Sequence, residues 1–443
     1  MFFRKLKTFS KGGVHPLGKK ITQNKSIQTL PPPGKISLIL KQHLGAPAIP
    51  VVEINEKVKV GQLVARHNGY VSANIHSSVS GRVDKIEDVL DISGYKTKAI
   101  TISAEGDNWD ESIDRSPDVK HDFNLNSIEI LNKIQNAGIV GLGGATFPSH
   151  VKLAIPFSKF ANILILNGVE CEPCLTSDHR LMIEKGEEIL VGARILMRAV
   201  HAHKTLIGIE NNKPDAIKHL ETLAKKYEDI KVYALKVKYP QGSEKQLVKA
   251  LIDKEIPNKG LPIDVHTIVD NVGTAFAVYE AVQKNKPLIE RVVTVTGKYV
   301  KYPCNFLARI GTPIEHLVQA AGGLPENTGK IVMGGPMMGK SLSSLNYYVT
   351  KATNGLLVIP AEDSKREKVR ECIRCAKCVS VCPVGLEPYK LMTLVERSQY
   401  DDAVEEKIDY CLECGSCSFV CPSYRPLLDY IRLGKSVIKK KTA

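Results

Sequence analysis

Residues 372–383 read CIRCAKCVSVCP, and residues 411–422, 39 positions further on, read CLECGSCSFVCP. Eight of the 11 cysteines thus stand in two copies of the spacing C-x2-C-x2-C-x3-C-P. Bacterial two-cluster proteins bind [4Fe–4S] clusters with this run, the fourth cysteine of each run reaching the other cluster. We therefore predict two clusters, one on Cys372, Cys375, Cys378 and Cys421 and the other on Cys411, Cys414, Cys417 and Cys382.

Zinc and disulfide bonds are the alternatives for so many cysteines. Structural zinc sites usually take their ligands in two pairs rather than in runs of four. Eight thiols in this repeat would also make an unusual disulfide framework. Both alternatives are weaker than iron–sulfur clusters, so the C-terminal region is expected to move electrons one at a time.

Length and charge restrict the class of protein further. The chain has 443 residues, enough for about three domains of ordinary size. No stretch approaches the ~20 apolar residues of a membrane span, and the basic segment Met1–Lys7 is not followed by the apolar region of a signal peptide. We expect a chain without a transmembrane segment of its own.

The net charge of +14 predicts an acidic partner surface, such as anionic lipid or an acidic electron carrier. Nucleic acid is not expected as a partner, because only 6% of the residues are aromatic and no binding motif is present.

The N-terminal quarter is predicted to be an extended arm over residues 1–40 followed by short strands up to about residue 103. Val60–Ala65 and Ser80–Val83 resemble the two half-motifs of biotinyl/lipoyl-type barrel-sandwich domains. The turn between them, Arg66–Tyr70, lacks the modifiable lysine of those carriers. We expect a structural or docking module.

Strands and helices alternate between residues 127 and 269, which predicts a parallel sheet with crossover helices. The clearest elements are a buried strand at Ile163–Leu166 and a helix at Glu187–Ala199. Strands near Val292–Val295 and a helix near Ile314–Ala321 follow, and Pro388–Val404 between the cysteine runs is predicted to be helical.

Two polar segments suggest a nucleotide site in the parallel-sheet region. Gly138–Pro148 is rich in glycine, which lets backbone N–H groups approach a phosphate, although this signal is weak by itself. Asn167–Pro173 directly follows the buried strand, and ligands of parallel sheets bind beyond the carboxyl ends of strands.

These segments carry a family resemblance. The chain is similar to the NADH-binding flavoprotein subunit of respiratory complex I in four segments, Gly141–Lys152, Asn167–Pro173, Tyr239–Glu244 and Asp270–Thr274. Over residues 9 to about 433 it resembles still more the C subunits of Rnf electron-transport complexes, through Phe9–Pro16, Gln42–Pro47 and the two cysteine runs.

The resemblance implies a noncovalently bound FMN and a site for NADH. Lys152 would place a positive charge near the flavin, and Phe147, Glu172 and Glu244 are candidate NADH contacts. The full set of predicted cofactor-binding residues is Gly141, Gly143, Gly144, Phe147, Lys152, Asn167, Glu170, Glu172, Gly242, Glu244, Asn271 and Thr274. One departure is Leu142, where the complex I loop usually has an arginine, so phosphate contacts would come from backbone N–H groups or Lys152.

The resemblance also implies an α/β multidomain fold. The expected domains are an arm with a barrel-sandwich-like domain over residues 1–110, a Rossmann-like FMN/NADH-binding domain over 120–270, a β-grasp (SLBB-like) domain over 271–360 and a helical two-cluster ferredoxin domain over 362–443.

The implied function is that of the NAD(H)-reacting subunit of a ferredoxin:NAD+ oxidoreductase. Hydride exchange between NADH and FMN, an electron relay through both clusters and export of Na+ or H+ by the complex would follow. Expected partners are the other Rnf subunits, with ferredoxin acting through the complex, at the cytoplasmic face of the plasma membrane. The alternative is a flavin and iron–sulfur cobalamin reductase of a bacterial microcompartment, which shares this layout.

Overall fold

The computed structural model describes residues 6–442, so residues 1–5 and residue 443 of the predicted terminal domains lie outside the described part. The first unit consists of six short strands, as its turn-rich sequence predicts, followed by two longer ones. They are β1 (Ile27–Thr29), β2 (Lys35–Ile39), β3 (Ile49–Pro50), β4 (Lys57–Val58), β5 (Leu63–Arg66), β6 (Ile75–His76), β7 (Gly81–Leu90) and β8 (Lys96–Ala104).

Two antiparallel sheets share one core in this unit, with strand orders β2-β8-β7-β4 and β3-β5-β6. Leu38 and Ile100 from one sheet and Val64 from the other are fully buried in that core. The turn that begins at Arg66 carries no lysine, and its Tyr70 carbonyl lies 3.3 Å from Nε2 of His150 in the next unit. The first unit therefore packs against the region of the predicted nucleotide site.

The second unit is the predicted parallel sheet. Its elements are α1 (Ser127–Asn136), α2 (Ser149–Leu153), β9 (Ile163–Asn167), α3 (Ser177–Glu184), α4 (Gly186–Val200), β10 (Lys204–Glu210), α5 (Pro214–Ala224), β11 (Ile230–Leu235), α6 (Glu244–Ile252), a 3₁₀ turn (Pro262–Val265), β12 (Thr267–Asn271) and α7 (Val272–Gln283). The predicted strand at Ile163–Leu166 lies within β9, and the predicted helix at Glu187–Ala199 lies within α4.

The strand order β11-β10-β9-β12 places a reversal of direction beside β9. From β9 the chain builds outward to β10 and β11 and then returns to add β12 on the other side. The last residues of β9 and β12, Asn167 and Asn271, stand side by side in the register. Ligands of open α/β sheets bind at such a reversal, beyond the carboxyl ends of the strands.

The third unit is a mixed sheet with a short helix. Its elements are β13 (Glu290–Gly297), β14 (Cys304–Arg309), α8 (Ile314–Ala320), β15 (Thr328–Met333), β16 (Lys340–Ser341) and β17 (Gly355–Pro360). The sheet order is β1-β14-β13-β17-β15-β16, so the arm contributes β1 as an edge strand parallel to β14. Because α7 packs against α4 and β12, we place the boundary before this unit after α7 rather than at residue 271.

The C-terminal unit is helical. Its helices are α9 (Ala361–Ser364), α10 (Lys377–Ser380), α11 (Pro388–Glu396), α12 (Tyr400–Glu405), α13 (Ser416–Phe419) and α14 (Leu427–Thr442), with a 3₁₀ turn at Ile408–Tyr410. The predicted helix over Pro388–Val404 is two helices, because Ser398 between them takes a left-handed φ of 57°. Within residues 6–442, the helices are all too short or too polar to cross a bilayer.

Candidate functional site

The two cysteine runs fold alike. Helices α10 and α13 begin at equivalent positions of the two runs, as do α11 and α14 after them. The loop before each short helix takes positive φ twice, at Arg374 and Ala376 in the first run and at Glu413 and Gly415 in the second. The two runs therefore share the same left-handed turns in the loop before the short helix.

The inner set of thiols consists of Cys382, Cys411, Cys414 and Cys417. All four residues line the same pocket. Burial, together with the other three thiols, raises the pKa of the Cys417 thiol to about 12. Backbone N–H groups of Leu386 and Glu413 point at the sulfur atoms of Cys382 and Cys411, 3.3 and 3.4 Å away. Such N–H···S contacts tune the potential of iron–sulfur clusters.

The outer set consists of Cys372, Cys375, Cys378 and Cys421. Burial and then the neighbouring thiols of Cys372 and Cys421 raise the pKa of Cys378, which places Cys421 beside the first run. Cys372 and Cys375 are exposed, whereas Cys382 and Cys417 of the inner set are buried. The structure therefore brings the fourth cysteine of each run to the other run, in the arrangement that the spacing predicts.

The donor set fits clusters better than single ions. Among residues 6–442, no three His, Cys, Asp or Glu side chains are close enough together to hold one metal ion. A cubane spaces its thiolate ligands more widely than one ion does, and four converging thiols supply its ligand set.

The second cavity lies beyond the ends of β9 and β12 and has an open volume of about 360 Å³, within the range of small-molecule sites. Of the predicted cofactor-binding residues, all except Gly144 and Thr274 line it. Those that line it are Gly141, Gly143, Phe147, Lys152, Asn167, Glu170, Glu172, Gly242, Glu244 and Asn271.

The glycine loop between α1 and α2 is held from behind. Thr274 accepts a hydrogen bond from the Leu142 N–H at 2.9 Å, so Thr274 supports the loop rather than lining the cavity. Arg291 of β13 donates to the Leu142 carbonyl at 3.3 Å from the same side. Gly144 has a φ of 111°, which side-chain-bearing residues rarely adopt. An arginine thus reaches this loop from the third unit, although the loop itself has Leu142.

The two asparagines at the strand ends connect the walls of the cavity. Asn167 donates from Nδ2 to the Gly242 carbonyl at 2.8 Å. Asn271 donates to Asp178 at 2.8 Å and accepts from the N–H of Gly273 at 2.8 Å, which caps α7. These bonds fix both side chains at the reversal point of the sheet.

Two predicted carboxylates already have backbone partners. Glu170 accepts hydrogen bonds from the N–H groups of Asp178 and His179, 2.9 and 3.3 Å away, and so caps α3. Glu172 accepts from Met337 and Met338 of the third unit at 3.0 and 2.7 Å. Their contact with flavin or NADH stays a prediction, since the structure gives both carboxylates a role in holding the cavity walls.

Another wall of the cavity carries the charged side chains of Lys152, Glu244 and Asp270, and one carboxylate oxygen of Asp270 has no hydrogen-bond partner among the described residues. Lys152 donates to Glu244 at 2.8 Å. Burial lowers the pKa of Lys152, but Glu244 and Asp270 outweigh it and hold this pKa above its usual value. Oδ2 of Asp270 is buried and has no hydrogen-bond partner among the described residues. A buried acceptor without a partner is costly unless a ligand satisfies it, so this wall fits a bound group that carries N–H or O–H donors.

The inner set of thiols adjoins this cavity. Leu412 and Cys414 of the second run line it together with Tyr239. The Tyr239 hydroxyl donates to the Cys414 carbonyl at 2.8 Å. Gln246 donates to the Pro383 carbonyl at 3.3 Å, a second link between the parallel-sheet and helical units.

The N-terminal arm closes the same junction. Its Gly13 donates from N–H to the Val381 carbonyl at 2.8 Å, and Val14 bonds the backbone of Tyr239. Gly12 lies so close to Cys382 that a Cβ there would stand 2.6 Å from its backbone. The arm therefore fastens the inner set to the parallel-sheet unit.

Sequence reasoning missed several residues of the cavity, namely Asp178, Tyr239 as a bridging residue, Asp270 and Leu412. Tyr239 and Asp270 stand inside segments that carry the resemblance, so a signal was present for them. Cys171 also lines the cavity, but burial raises its pKa to about 12, which keeps it a protonated thiol.

Comparison with protein families divides the chain in the order that the sequence predicts. Residues 7–107 match the RnfC barrel sandwich hybrid domain, and residues 134–280 match the Nuo51 FMN-binding domain. Residues 292–341 match the SLBB domain and residues 371–424 the 4Fe-4S dicluster domain. The predicted fold class is confirmed.

Curated relatives extend over nearly the whole chain. The C component of a proton-translocating ferredoxin:NAD(+) oxidoreductase complex from Clostridium ljungdahlii is 44% identical over 90% of this chain and 86% of its own length. The C component of a Na(+)-translocating ferredoxin:NAD(+) oxidoreductase complex from Acetobacterium woodii is 40% identical over 97% of this chain and 96% of its own length. This chain belongs to the RnfC family.

Both cofactor predictions agree with this family, since the matched regions are an FMN-binding domain and a 4Fe–4S dicluster domain. The two relatives are components of ferredoxin:NAD(+) oxidoreductases, which favours the RnfC family over the cobalamin reductase alternative. The crystal structure of an NAD+-reducing [NiFe]-hydrogenase in the H2-reduced state is also similar, with a TM-score of 0.49 and 17% identity over 69% of this chain and 62% of that one.

Proposed function

We propose that this chain is the NAD(H)-reacting subunit of a membrane-bound ferredoxin:NAD+ oxidoreductase. In this function a hydride is exchanged between NADH and FMN, and single electrons pass through two [4Fe–4S] clusters to or from the membrane subunits. The observation that carries the proposal is the junction at which Leu412 and Cys414 of a cysteine run line the same cavity as the predicted flavin residues.

The protein side chains bind and orient the nucleotides in this proposal. FMN, when bound, supplies the conversion between a two-electron hydride exchange and one-electron transfer. Backbone N–H groups of the glycine loop and the Lys152 ammonium would hold its phosphate. The buried Oδ2 of Asp270, which has no hydrogen-bond partner among the described residues, would accept a hydrogen bond from a ring or ribose donor. Phe147 and Glu244, which line the cavity, would contact NADH.

The two thiol sets take consecutive places in the relay. The inner set adjoins the flavin cavity through Cys414, whereas Cys372 and Cys375 of the outer set face solvent. Tyr239 links the flavin cavity to the inner set. Because burial raises the pKa of its phenol, the hydroxyl stays protonated and donates a hydrogen bond to the Cys414 carbonyl. We therefore propose the order NADH, FMN, inner set and outer set, in either direction.

The remaining parts of the function belong to the assembled complex. The relatives are named as subunits of proton- or Na(+)-translocating complexes. We propose that this chain likewise binds the other Rnf subunits at the cytoplasmic face of the membrane, receives ferredoxin electrons through them and leaves export of Na+ or H+ to the membrane subunits.

The test uses the full chain, purified anaerobically with its clusters reconstituted. We expect about eight irons, one acid-extractable FMN and rapid bleaching of the flavin absorbance by NADH. The Lys152→Met variant should bind FMN about tenfold or more weakly, the usual cost of a charged hydrogen bond. Lys254→Met, an exposed lysine outside the cavity, is the control. Full iron content without flavin or any response to NADH would refute the nucleotide site and leave only an electron carrier.

A further inference from the structure

The exposed ribbon, residues 365–377, runs from α9 through the first two cysteines of the outer set. Every residue in it is exposed, including Cys372 and Cys375. It carries six lysines and arginines against two glutamates. Two of the four predicted ligand thiols of the outer set, Cys372 and Cys375, therefore reach the surface inside a strongly basic segment.

The cations of this ribbon are largely unpaired. Arg366 reaches Asp429 at 3.1 Å, but both side chains are mostly exposed, which makes the pair weak. Lys368, Arg370 and Arg374 have no carboxylate partner among residues 6–442. Unpaired charges of one sign produce a surface potential that attracts the opposite sign.

Apolar side chains stand between these cations. Val369 is 52% exposed and Ile373 is 68% exposed. The N–H of Arg370 bonds the Ser423 carbonyl at 3.0 Å, which brings the half-exposed Tyr424 alongside. An exposed apolar patch with a charged rim is typical of protein interfaces.

We propose that the exposed ribbon is the docking surface for an acidic one-electron carrier protein with an apolar patch at its own redox centre. This inference rests on the proposed function, since it names the partner class of the outer set. Each encounter moves one electron, so the carrier is oxidised as the outer cluster is reduced. Two encounters deliver two electrons, which together with one proton convert one NAD+ into NADH. In the reverse direction, one NADH releases one proton and reduces two carriers.

A protein fits this surface better than a lipid bilayer. The redox ligands Cys372 and Cys375 lie within the ribbon itself, where a docked carrier would approach them most closely. Electron-transfer complexes are small and transient, below about 1,200 Å² of buried surface, and opposite charges on their rims raise the association rate. A small basic surface around an apolar centre matches these requirements.

The experiment mixes photoreduced acidic [4Fe–4S] ferredoxin with the reconstituted chain and NAD+ and follows NADH formation. Charge reversal in the double variant Lys368→Glu/Arg370→Glu should slow the reaction about tenfold at low salt. The loss should largely vanish near 1 M salt, where the screening length falls to about 3 Å. Ile373→Ser keeps the charges and should slow the reaction about fivefold at both salt concentrations, through lost apolar contact.

The matched control is Lys218→Glu/Lys225→Glu, which changes the net charge equally at exposed lysines of the parallel-sheet unit. Iron content and NADH-dependent ferricyanide reduction should stay at the wild-type level in all variants. If both double variants behave alike, the docking surface is wrong while the proposed function stands. If the wild-type chain forms no NADH from reduced carrier although NADH still bleaches its flavin, the docking proposal fails and the proposed function stands. If NADH does not bleach the flavin either, the proposed function itself fails. Unchanged NADH formation with lost binding to phosphatidylglycerol vesicles would overturn the proposal in favour of a lipid surface.

Discussion

The two cysteine runs share one backbone path but have opposite surroundings. In the second run the thiols join Cys382 in a pocket next to the predicted flavin cavity, whereas Cys372 and Cys375 of the first run are exposed. The repeated sequence explains the shared path, including the two left-handed positions in each loop. The difference in exposure comes from outside the repeat, because the arm and Tyr239 cover one set only. A cluster motif thus specifies the cluster, and its neighbours decide which partner the cluster can meet.

The largest expected effect tests whether the fourth cysteine of each run, Cys382 or Cys421, binds the cluster of the other run. Cys382→Ser and Cys421→Ser should each lose about four irons, one cubane, and both should abolish NADH formation from reduced ferredoxin. The double variant Cys382→Ser/Cys411→Ser removes two ligands of one set and should lose no more iron than Cys382→Ser alone. Cys382→Ser/Cys372→Ser affects both sets and should lose nearly all iron, measured by colorimetric iron analysis.

Cys304→Ser is the control for these variants, since Cys304 lies in β14, away from both sets. Effects of changes at one site are non-additive, whereas those at separate sites add. If Cys382→Ser/Cys372→Ser instead retains half of the iron, each run holds its own cluster and the exchanged assignment is wrong.

Removal of iron should separate the two sets in the wild-type chain. With an excess of a ferrous chelator under anaerobic conditions, we expect two phases of iron release of equal amplitude. The fast phase belongs to the outer set, whose Cys372 and Cys375 are exposed, and the slow phase to the inner set. In Cys421→Ser only the slow phase should remain. A single phase in the wild-type chain would contradict the difference in exposure.

The covering arm offers a smaller and more local test. Gly12→Ala places a Cβ against the Cys382 backbone at a φ of 64°, which side-chain-bearing residues rarely adopt. We expect a cost of about 1–3 kcal/mol, typical of a strained backbone position, and an accelerated slow phase of iron release. Gly18→Ala on the same arm is the control, since no described atom lies within 4 Å of its Cβ position. Equal release rates in the two variants would mean that the arm does not protect the inner set.

Local sequence patterns predicted much of this fold. The buried strand became β9, and the apolar periodicity of α4 defined that helix almost to the residue. The cysteine spacing predicts that the two runs exchange their fourth cysteines, and the structure brings Cys382 to the second run and Cys421 near Cys378. The assignment of these thiols to clusters stays a prediction. Only local chemistry is needed for these elements.

Local sequence patterns could not predict contacts between segments that lie far apart in the chain. The arm was predicted only to be extended, and its pairing with β14 through β1 joins residues far apart in the chain. The sequence did not indicate that the carboxylate of Glu170, predicted to contact the flavin, also caps α3, because this use depends on the turn geometry of its loop. Likewise, nothing in either cysteine run indicates which one meets the flavin cavity, since Leu412 reaches it only through the packing of whole units.

The smallest expected effect comes from the bridge between the cavity and the inner set. Tyr239→Phe removes only the hydroxyl that donates to Cys414 and keeps the ring in place. Loss of one hydrogen bond costs about 0.5–1.5 kcal/mol, so we expect NADH formation from reduced ferredoxin to slow a few-fold. NADH bleaching of the flavin, followed by stopped flow, should change less, because the bridge acts after that step. Tyr95→Phe is the matched control, since its ring is 70% exposed. If Tyr239→Phe slows flavin bleaching and NADH formation equally, the hydroxyl serves nucleotide binding. The arm and Gln246 would then hold the inner set against the parallel-sheet unit without help from this hydroxyl.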